Sequence, residues 1–400
     1  MDPTTREYTP VLMEDDKKDK LARNGDARRE LFGPLNFLIK CCGADDTHSL
    51  FNTENRNKCS IIATPLSIVI CLCMLYNVFM QFFRVQNPLS FGWSECVILF
   101  GLALLSFFSA LSLGLWTRSL FFLDFYEAWK KSNKEESKRL FLNRKRIVIA
   151  LLYIVFFTSA CTTGEFKYAV QKGHNIVTNT SSAAEEVILD RFHSGEFFFS
   201  FFGALLAALC LFIYFILHKV AEEQIEEFNN ELKNESEKSQ LMGNLEEFAV
   251  RHASIIKMVS LLSERVTLFA TFSTVASIIA NFAVMYMSIV FQTELSPLSL
   301  ACSLLWTVVA AIALIVTLLS PVKVQTQLNN TAEIVLADME VWKGKTEDSL
   351  LAQSMVLRVQ NTNTKIALFF WFRVSQWSGQ ALTMLPPVIG IFCICLKFYA

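Results

Sequence analysis

The stretch FFFSFFGALLAALCLFIYFILHKVAEEQIEEFNNEL, residues 197–232, decides the fold. From Phe197 to Leu217 it is apolar and carries no charge, and about 20 such residues cross a bilayer core as a helix. At His218-Lys219 the character changes. Ala221, Ile225, Phe228 and Leu232 then recur at steps of three and four, while Glu222, Glu223, Glu226 and Glu227 take the other face. That period marks one apolar side of a helix. The reading is a membrane span that continues past the bilayer as an amphipathic helix. At 1.5 Å per residue, twenty more residues reach about 30 Å beyond it.

The same design recurs further along. Leu241, Leu245, Phe248, Ile255, Val259 and Leu262 precede another apolar run, and Leu328, Ala332, Val335, Met339 and Trp342 follow the next. Seven windows qualify as spans, at roughly 59–83, 91–116, 147–168, 197–219, 266–291, 298–320 and 379–398. The last is interrupted by Pro386-Pro387. A span tolerates proline where neighbouring helices cover the freed carbonyls. A further helix is predicted over 347–377, polar at Glu347-Asp348-Ser349 and apolar from Ile366 to Trp377, with Gly344 and Gly379 as breaks.

Composition supports lipid as the solvent. Of 400 residues, 53% are hydrophobic, 36 are Phe, and only 18% are charged, with a mean hydropathy of +0.38. One soluble core does not hide that much apolar surface. The 36 Lys and Arg set the orientation. With a cytosolic N-terminus, 31 fall inside or at inner helix ends. Only Arg84, Lys167, Lys172, Arg191 and Lys397 fall outside. The expected layout is therefore all-α: a seven-transmembrane bundle with the N-terminus inside and the C-terminus outside. A cytosolic segment covers 1–58, its first ~30 residues disordered, and spans one to four cover 59–219. A cytosolic helical extension takes 220–265, spans five and six 266–320, a cytosolic helical anchor 321–378, and the last span 379–400. The first 31 residues are charged and polar, so no signal peptide is expected. Asn179-Thr180-Ser181 is a sequon in a segment assigned outside, making Asn179 the expected glycosylation site.

Enzyme chemistry finds no foothold. The five His show no HExxH or paired-ligand spacing, the 14 Gly build no phosphate loop, and the eleven Cys form no CxxC pair with a His partner. No catalytic residue, metal or cofactor is expected, and nothing points to a nucleic-acid partner. No acidic pair sits mid-membrane, which weighs against a charged transport relay. Aromatics crowd the outer halves of the spans: Trp93, Phe156, Phe157, Phe198, Phe202, Tyr286 and Trp306. They read either as lipid-facing and packing residues or as an outward-opening apolar pocket for a small organic ligand. In the last span, Pro387, Gly390 or Ile391, Ile394, and Lys397 or Phe398 share a face. If that face lines an axial pore, Ile394 is a hydrophobic gate that closes by dewetting. The other reading is a packed helix with Lys397 snorkelling to the headgroups.

The layout resembles the insect gustatory and odorant receptor superfamily of seven-transmembrane ion channels, most of all its nematode gustatory-like or serpentine receptor class r branch. Three features carry the resemblance. The topology is inverted relative to G-protein-coupled receptors, with long extensions of spans four to six. Gly33-Pro34-Leu35-Asn36-Phe37-Leu38-Ile39-Lys40, with Gly43 following, is similar to the Pro-Leu…Gly approach to the family's first span. The seventh span follows an aromatic stretch, here Phe369-Phe370-Trp371-Phe372. The family closes its last helix with Thr-Tyr, five apolar residues and Gln-Phe; here stand Gly390-Ile391, an apolar run from Phe392 to Leu396, and Lys397-Phe398.

The resemblance implies a tetramer around a pore lined by the last helix, with Ile394 at the gate and Lys397 in place of the Gln at the outer mouth. Four Lys there repel cations at roughly 1–4 kcal/mol per pair at 4 Å. It further implies a plasma-membrane receptor opened by a small organic ligand. A homotetramer or hetero-oligomer would assemble through cytosolic helices 221–262 and 322–377. Two alternatives remain: a G-protein-coupled receptor, which needs the N-terminus outside, and a non-conducting scaffold on the same fold, which Lys397 favours.

Overall fold

The computed structural model describes residues 20, 23–42, 56–84, 90–133, 147–162, 183–238, 240–291, 297–344, 346–362, 367–368, 372–373 and 388. They form an all-helical bundle. In chain order the elements are α1 (23–32), a 3-10 turn at Gly33–Leu35, α2 (Asn36–Cys41), α3 (Arg56–Arg84), α4 (Phe91–Arg118) and α5 (Phe121–Ser132). There follow α6 (Ile147–Thr162), α7 (Ala183–Glu237), α8 (Leu241–Val290), α9 (Pro297–Ala337), α10 (Met339–Lys343) and α11 (Thr346–Asn361). A two-residue ladder, β1 (Ala367–Leu368) with β2 (Phe372–Arg373), closes the described chain.

Among the described residues, α4, α7, α8 and α9 are long and apolar enough to cross a membrane. Shorter apolar helices, Ser67–Phe83 and Ile147–Thr162, occupy the places of the predicted first and third spans. α3 and α6 expose Leu72, Phe79, Phe83, Ile149, Leu152 and Val155, an apolar surface that lipid solvates and water does not. This is a multi-pass membrane protein. The predicted seventh span, 379–398, lies outside the described residues except for Val388.

α8 is the central strut, packed against α4, α5, α7, α9 and α11. The bundle has two unlike ends. At the short end α4 begins and α8 stops. At the long end α7, α8 and α9 run on past their apolar segments and meet α5, α10 and α11. The amphipathic stripes explain that end: Ala221, Ile225, Phe228, Leu232, Leu241, Leu245, Phe248, Ile255, Val259 and Leu262 are all buried. Each apolar face finds its partner in its neighbour, so the helices need no lipid there.

Four details depart from the sequence reading. α7 starts at Ala183, within the predicted loop 169–196. α9 stops at Ala337. Asp338 accepts from the amides of Glu340 and Val341 at 3.0 and 3.3 Å and caps a new helix. The break throws Met339 out of register to 67% exposure, while Trp342 donates back to the Val335 carbonyl. The helix predicted over 347–377 ends at Asn361, and beyond it Ala367-Leu368 pairs with Phe372-Arg373 as a short antiparallel ladder.

Two junctions show how polar atoms shape the bundle. Leu120 turns the chain between α4 and α5 with φ 55°, a left-handed conformation costly for a branched residue. Asn24 of α1 holds that corner, donating to the Thr117 carbonyl and accepting from the Leu123 amide. In α9, Pro321 has no amide for the carbonyl of Thr317. The Tyr214 hydroxyl of α7 donates to it instead, at 3.0 Å.

Candidate functional site

At the short end the side chains are aromatic. Ser90 caps α4 by accepting from the Trp93 amide, which fixes where the helix begins and hence where Trp93 stands. The Trp93 ring meets Tyr286 of α8 edge-on at 6.2 Å. Tyr286 also stacks on Phe282 and contacts Phe291, which meets Phe91. Beneath this group lies a small separate core of Ile98, Ala283, Val284, Met287 and Trp306. The Trp306 indole donates to the Ala160 carbonyl of α6 at 3.2 Å, tying α9 to α6.

Beside it, between α3, α4, α6 and α7, is a cavity of about 20 Å³. That is room for one or two waters. Its walls include Asn77, Leu102, Ser106, Phe157, Cys161 and Ser200. Gly203 allows α7 to come this close: a Cβ there would stand 2.8 Å from the Ser106 hydroxyl and 3.2 Å from the Met74 sulfur. Asn77 is 5% exposed and makes no hydrogen bond among the described residues. One turn along, Gln81 is 1% exposed, and among the described residues neither its amide atoms nor the Thr158 hydroxyl on α6 has a partner. An unpaired buried carboxamide costs about 1–3 kcal/mol.

The long end carries larger clefts, of about 320 and 470 Å³. They are open grooves between charged side chains such as Glu227, Glu235 and Lys238, or Glu127, Lys131 and Lys257. Small-ligand sites are concave and hold a ligand on most sides, and both clefts lie open at the surface, so the smaller cavity between the spans is the better candidate despite its size. The structural centre of the long end is Arg251. It grips Glu231 with two bonds of 2.6 and 3.3 Å, donates from Nε to the Ser132 carbonyl, and lies over the rings of Phe228 and Phe248. His252 beside it is 0% exposed, and among the described residues neither ring nitrogen has a partner. Burial, helped by the charge of Arg358, lowers its pKa from 6.5 to about 4. Among the described residues no cluster of metal-ligating side chains occurs.

Residues 31–390 match the family described as Caenorhabditis protein of unknown function, DUF267. The chain belongs to that family. No curated protein matches it by sequence. Among solved structures, the insect olfactory receptor OR5 from Machilis hrabei is similar over 98% of this chain and 99% of its own, with a TM-score of 0.62 at 12% identity. The same receptor in complex with eugenol is similar over 97% of this chain and 100% of its own, with a TM-score of 0.57 at 11% identity. At such identity the likeness is one of fold. This DUF267 member has the fold of an insect olfactory receptor, and the resemblance read from its sequence is borne out.

In this DUF267 chain the predicted pocket residues separate. Trp93, Tyr286 and Trp306 gather at the short end, and fully buried Phe157 lines the cavity. Phe156 lies at the surface of α6; Phe198, 63% exposed, stacks on Phe202 along the outer face of α7. Neither Phe198 nor Phe202 lines the cavity, and Phe202 is half-buried against the main core. Pro387, Gly390, Ile391, Ile394, Lys397 and Phe398 lie outside the described residues, as does Asn179. Asn77 and Gln81 escaped the sequence reading. Their signal was present: two carboxamides at i and i+4 inside an apolar run, where polar side chains are expensive and functional by default.

Proposed function

We propose that the chain is a chemosensory receptor that forms a ligand-gated ion channel. The observation that carries this reading is the shared fold with an insect olfactory receptor over 98% of the chain. By the distribution of Lys and Arg, the long end is cytosolic and the short end faces outward, in the plasma membrane, with Asn179 glycosylated. A small organic ligand, of the kind that eugenol is for that receptor, binds between the outer halves of the spans, near Trp93, Phe157, Tyr286 and Trp306. Four copies assemble through helices 221–262 and 322–377, and the last span lines the pore. Ligand binding moves that span and wets the constriction at Ile394.

Recording ligand-evoked currents from wild type and Ile394→Ala tests the reading. A smaller side chain at the gate is expected to raise basal current severalfold. Absence of current from both proteins, with surface expression confirmed, counts against conduction. Lys397 supports a second reading, a non-conducting or anion-selective member, because four such charges at a narrow mouth repel cations. Reversal potentials in chloride and sodium gradients separate the two. Glycosylation mapping at Asn179, Asn234 and Asn329 tests the orientation; modification of Asn179 alone is expected.

A further inference from the structure

We propose that the carboxamide of Asn77 is the polar recognition group of the cavity between α3, α4, α6 and α7, and selects ligands that carry a hydroxyl or carbonyl on a small apolar body. This rests on the reading of the short end as the ligand-binding end.

The argument begins with cost. Asn77 is 95% buried within an apolar helix, lines the cavity, and has no protein partner among the described residues. In a bilayer interior an unsatisfied amide is disfavoured unless something satisfies it. The structure offers a place for that something. Around Asn77 the walls are Leu99, Leu102, Ala103, Phe157 and Ala204, which suit an apolar body. The Ser106 hydroxyl donates to the Leu102 carbonyl and so can only accept from a ligand. Ser106, Cys161 and Ser200 add polar atoms to the wall, but the Asn77 amide brings both a donor and an acceptor to a mostly apolar chamber, an arrangement that fixes orientation and polarity rather than size. A site built around a hydrogen bond rejects a ligand that lacks it more strongly than an apolar pocket rejects one with an extra methylene. At about 20 Å³ the cavity holds only water as it stands. A ligand therefore enters by displacing that water and shifting Phe157, the largest wall residue.

The test uses the purified full-length protein in lipid nanodiscs, with p-cresol and p-xylene as probes. The two differ only by a hydroxyl for a methyl. Binding is followed by thermal shift against concentration. Wild type is expected to bind p-cresol about tenfold more tightly than p-xylene, the discrimination one hydrogen bond provides. Asn77→Leu is expected to abolish the preference while its own Tm, without ligand, holds or rises, because an unpaired polar group has been removed. A merely structural Asn77 would lower that Tm. Phe157→Leu enlarges the chamber and is expected to raise affinity for both probes with the preference kept, so the idea stays testable if Asn77→Leu does not fold. A preference that survives Asn77→Leu overturns the proposal. So does wild type without preference, which makes the chamber a water site only. Binding with the expected preference but no evoked current leaves Asn77 in place and removes the channel reading. Currents evoked by other odorants, with p-cresol indifferent to Asn77, do the reverse.

Discussion

The long end and the short end of the bundle are held together by different forces. At the long end, directional contacts dominate. Arg251 fastens α8 to α7 and to the end of α5, Arg358 donates to the Ala249 carbonyl, and Ser236 donates to Asp338 at 2.6 Å. Such bonds have one good geometry, so that end resists deformation. At the short end, rings meet rings and one indole bond links α9 to α6. Ring contacts prefer edge-on or offset geometries, but each is worth only about 0.5–1.5 kcal/mol beyond its area and can be made again after a small shift. The short end also contains the small cavity and the buried Gln81 amide, unpartnered among the described residues. With the proposed ligand site at the short end, the contrast teaches that stiffness and recognition would be segregated: one end is an anchor, the other can repack around a guest.

The largest expected effect comes from breaking the anchor. Arg251→Met should cost about 3 kcal/mol of stability, toward the lower part of the range for a broken buried pair because Glu231 keeps partial exposure. Unfolding in nanodiscs measures it, and Arg251→Met combined with Glu231→Met should recover much of the loss. A single variant that melts like wild type would remove the anchor from the comparison.

His252 comes next. Its folded pKa is depressed, so the unfolded chain takes up a proton first as the pH falls. Its contribution is whole above about pH 6.5 and is lost between there and about pH 4, by up to about 3 kcal/mol. The positive charge of Arg358 near the ring disfavours the imidazolium further. His252→Leu should flatten the acid limb of the stability profile; an unchanged slope would contradict the burial argument.

Effects at the short end should be smaller. Trp306→Phe removes the bond to Ala160 and should lower stability by about 1 kcal/mol, read from the shift in midpoint. Phe198→Ala, on the outer face of α7, should change stability by less than about 0.5 kcal/mol and leave ligand responses intact. A large effect on ligand response would put Phe198 back into the site.

Much of the bundle was legible because period and burial coincide. The stripe from Ala221 to Leu262 reads as one buried face and is one. Reading failed where a single residue redirected the chain. Asp338 interrupts an otherwise continuous period by capping the next helix, and a period cannot show that its own helix has ended. The site was less legible. Aromatic richness could not separate Phe157, turned inward, from Phe156 beside it, turned outward, because helical direction follows from packing partners the chain does not spell out. Asn77 and Gln81 were hidden by averaging: hydropathy over twenty residues dilutes two amides that matter individually.

The exchange at Pro321 has a mechanical consequence. Proline cuts the hydrogen-bond ladder of α9, and the bond that replaces it is owned by another helix. α9 nevertheless runs unbroken from Pro297 to Ala337, and the carbonyl freed at Thr317 is tied sideways to α7 through Tyr214. A bend of α9 at the proline therefore strains a bond that belongs to α7 as much as to α9, so the two helices share the movement. Tyr214→Phe is the substitution that separates them.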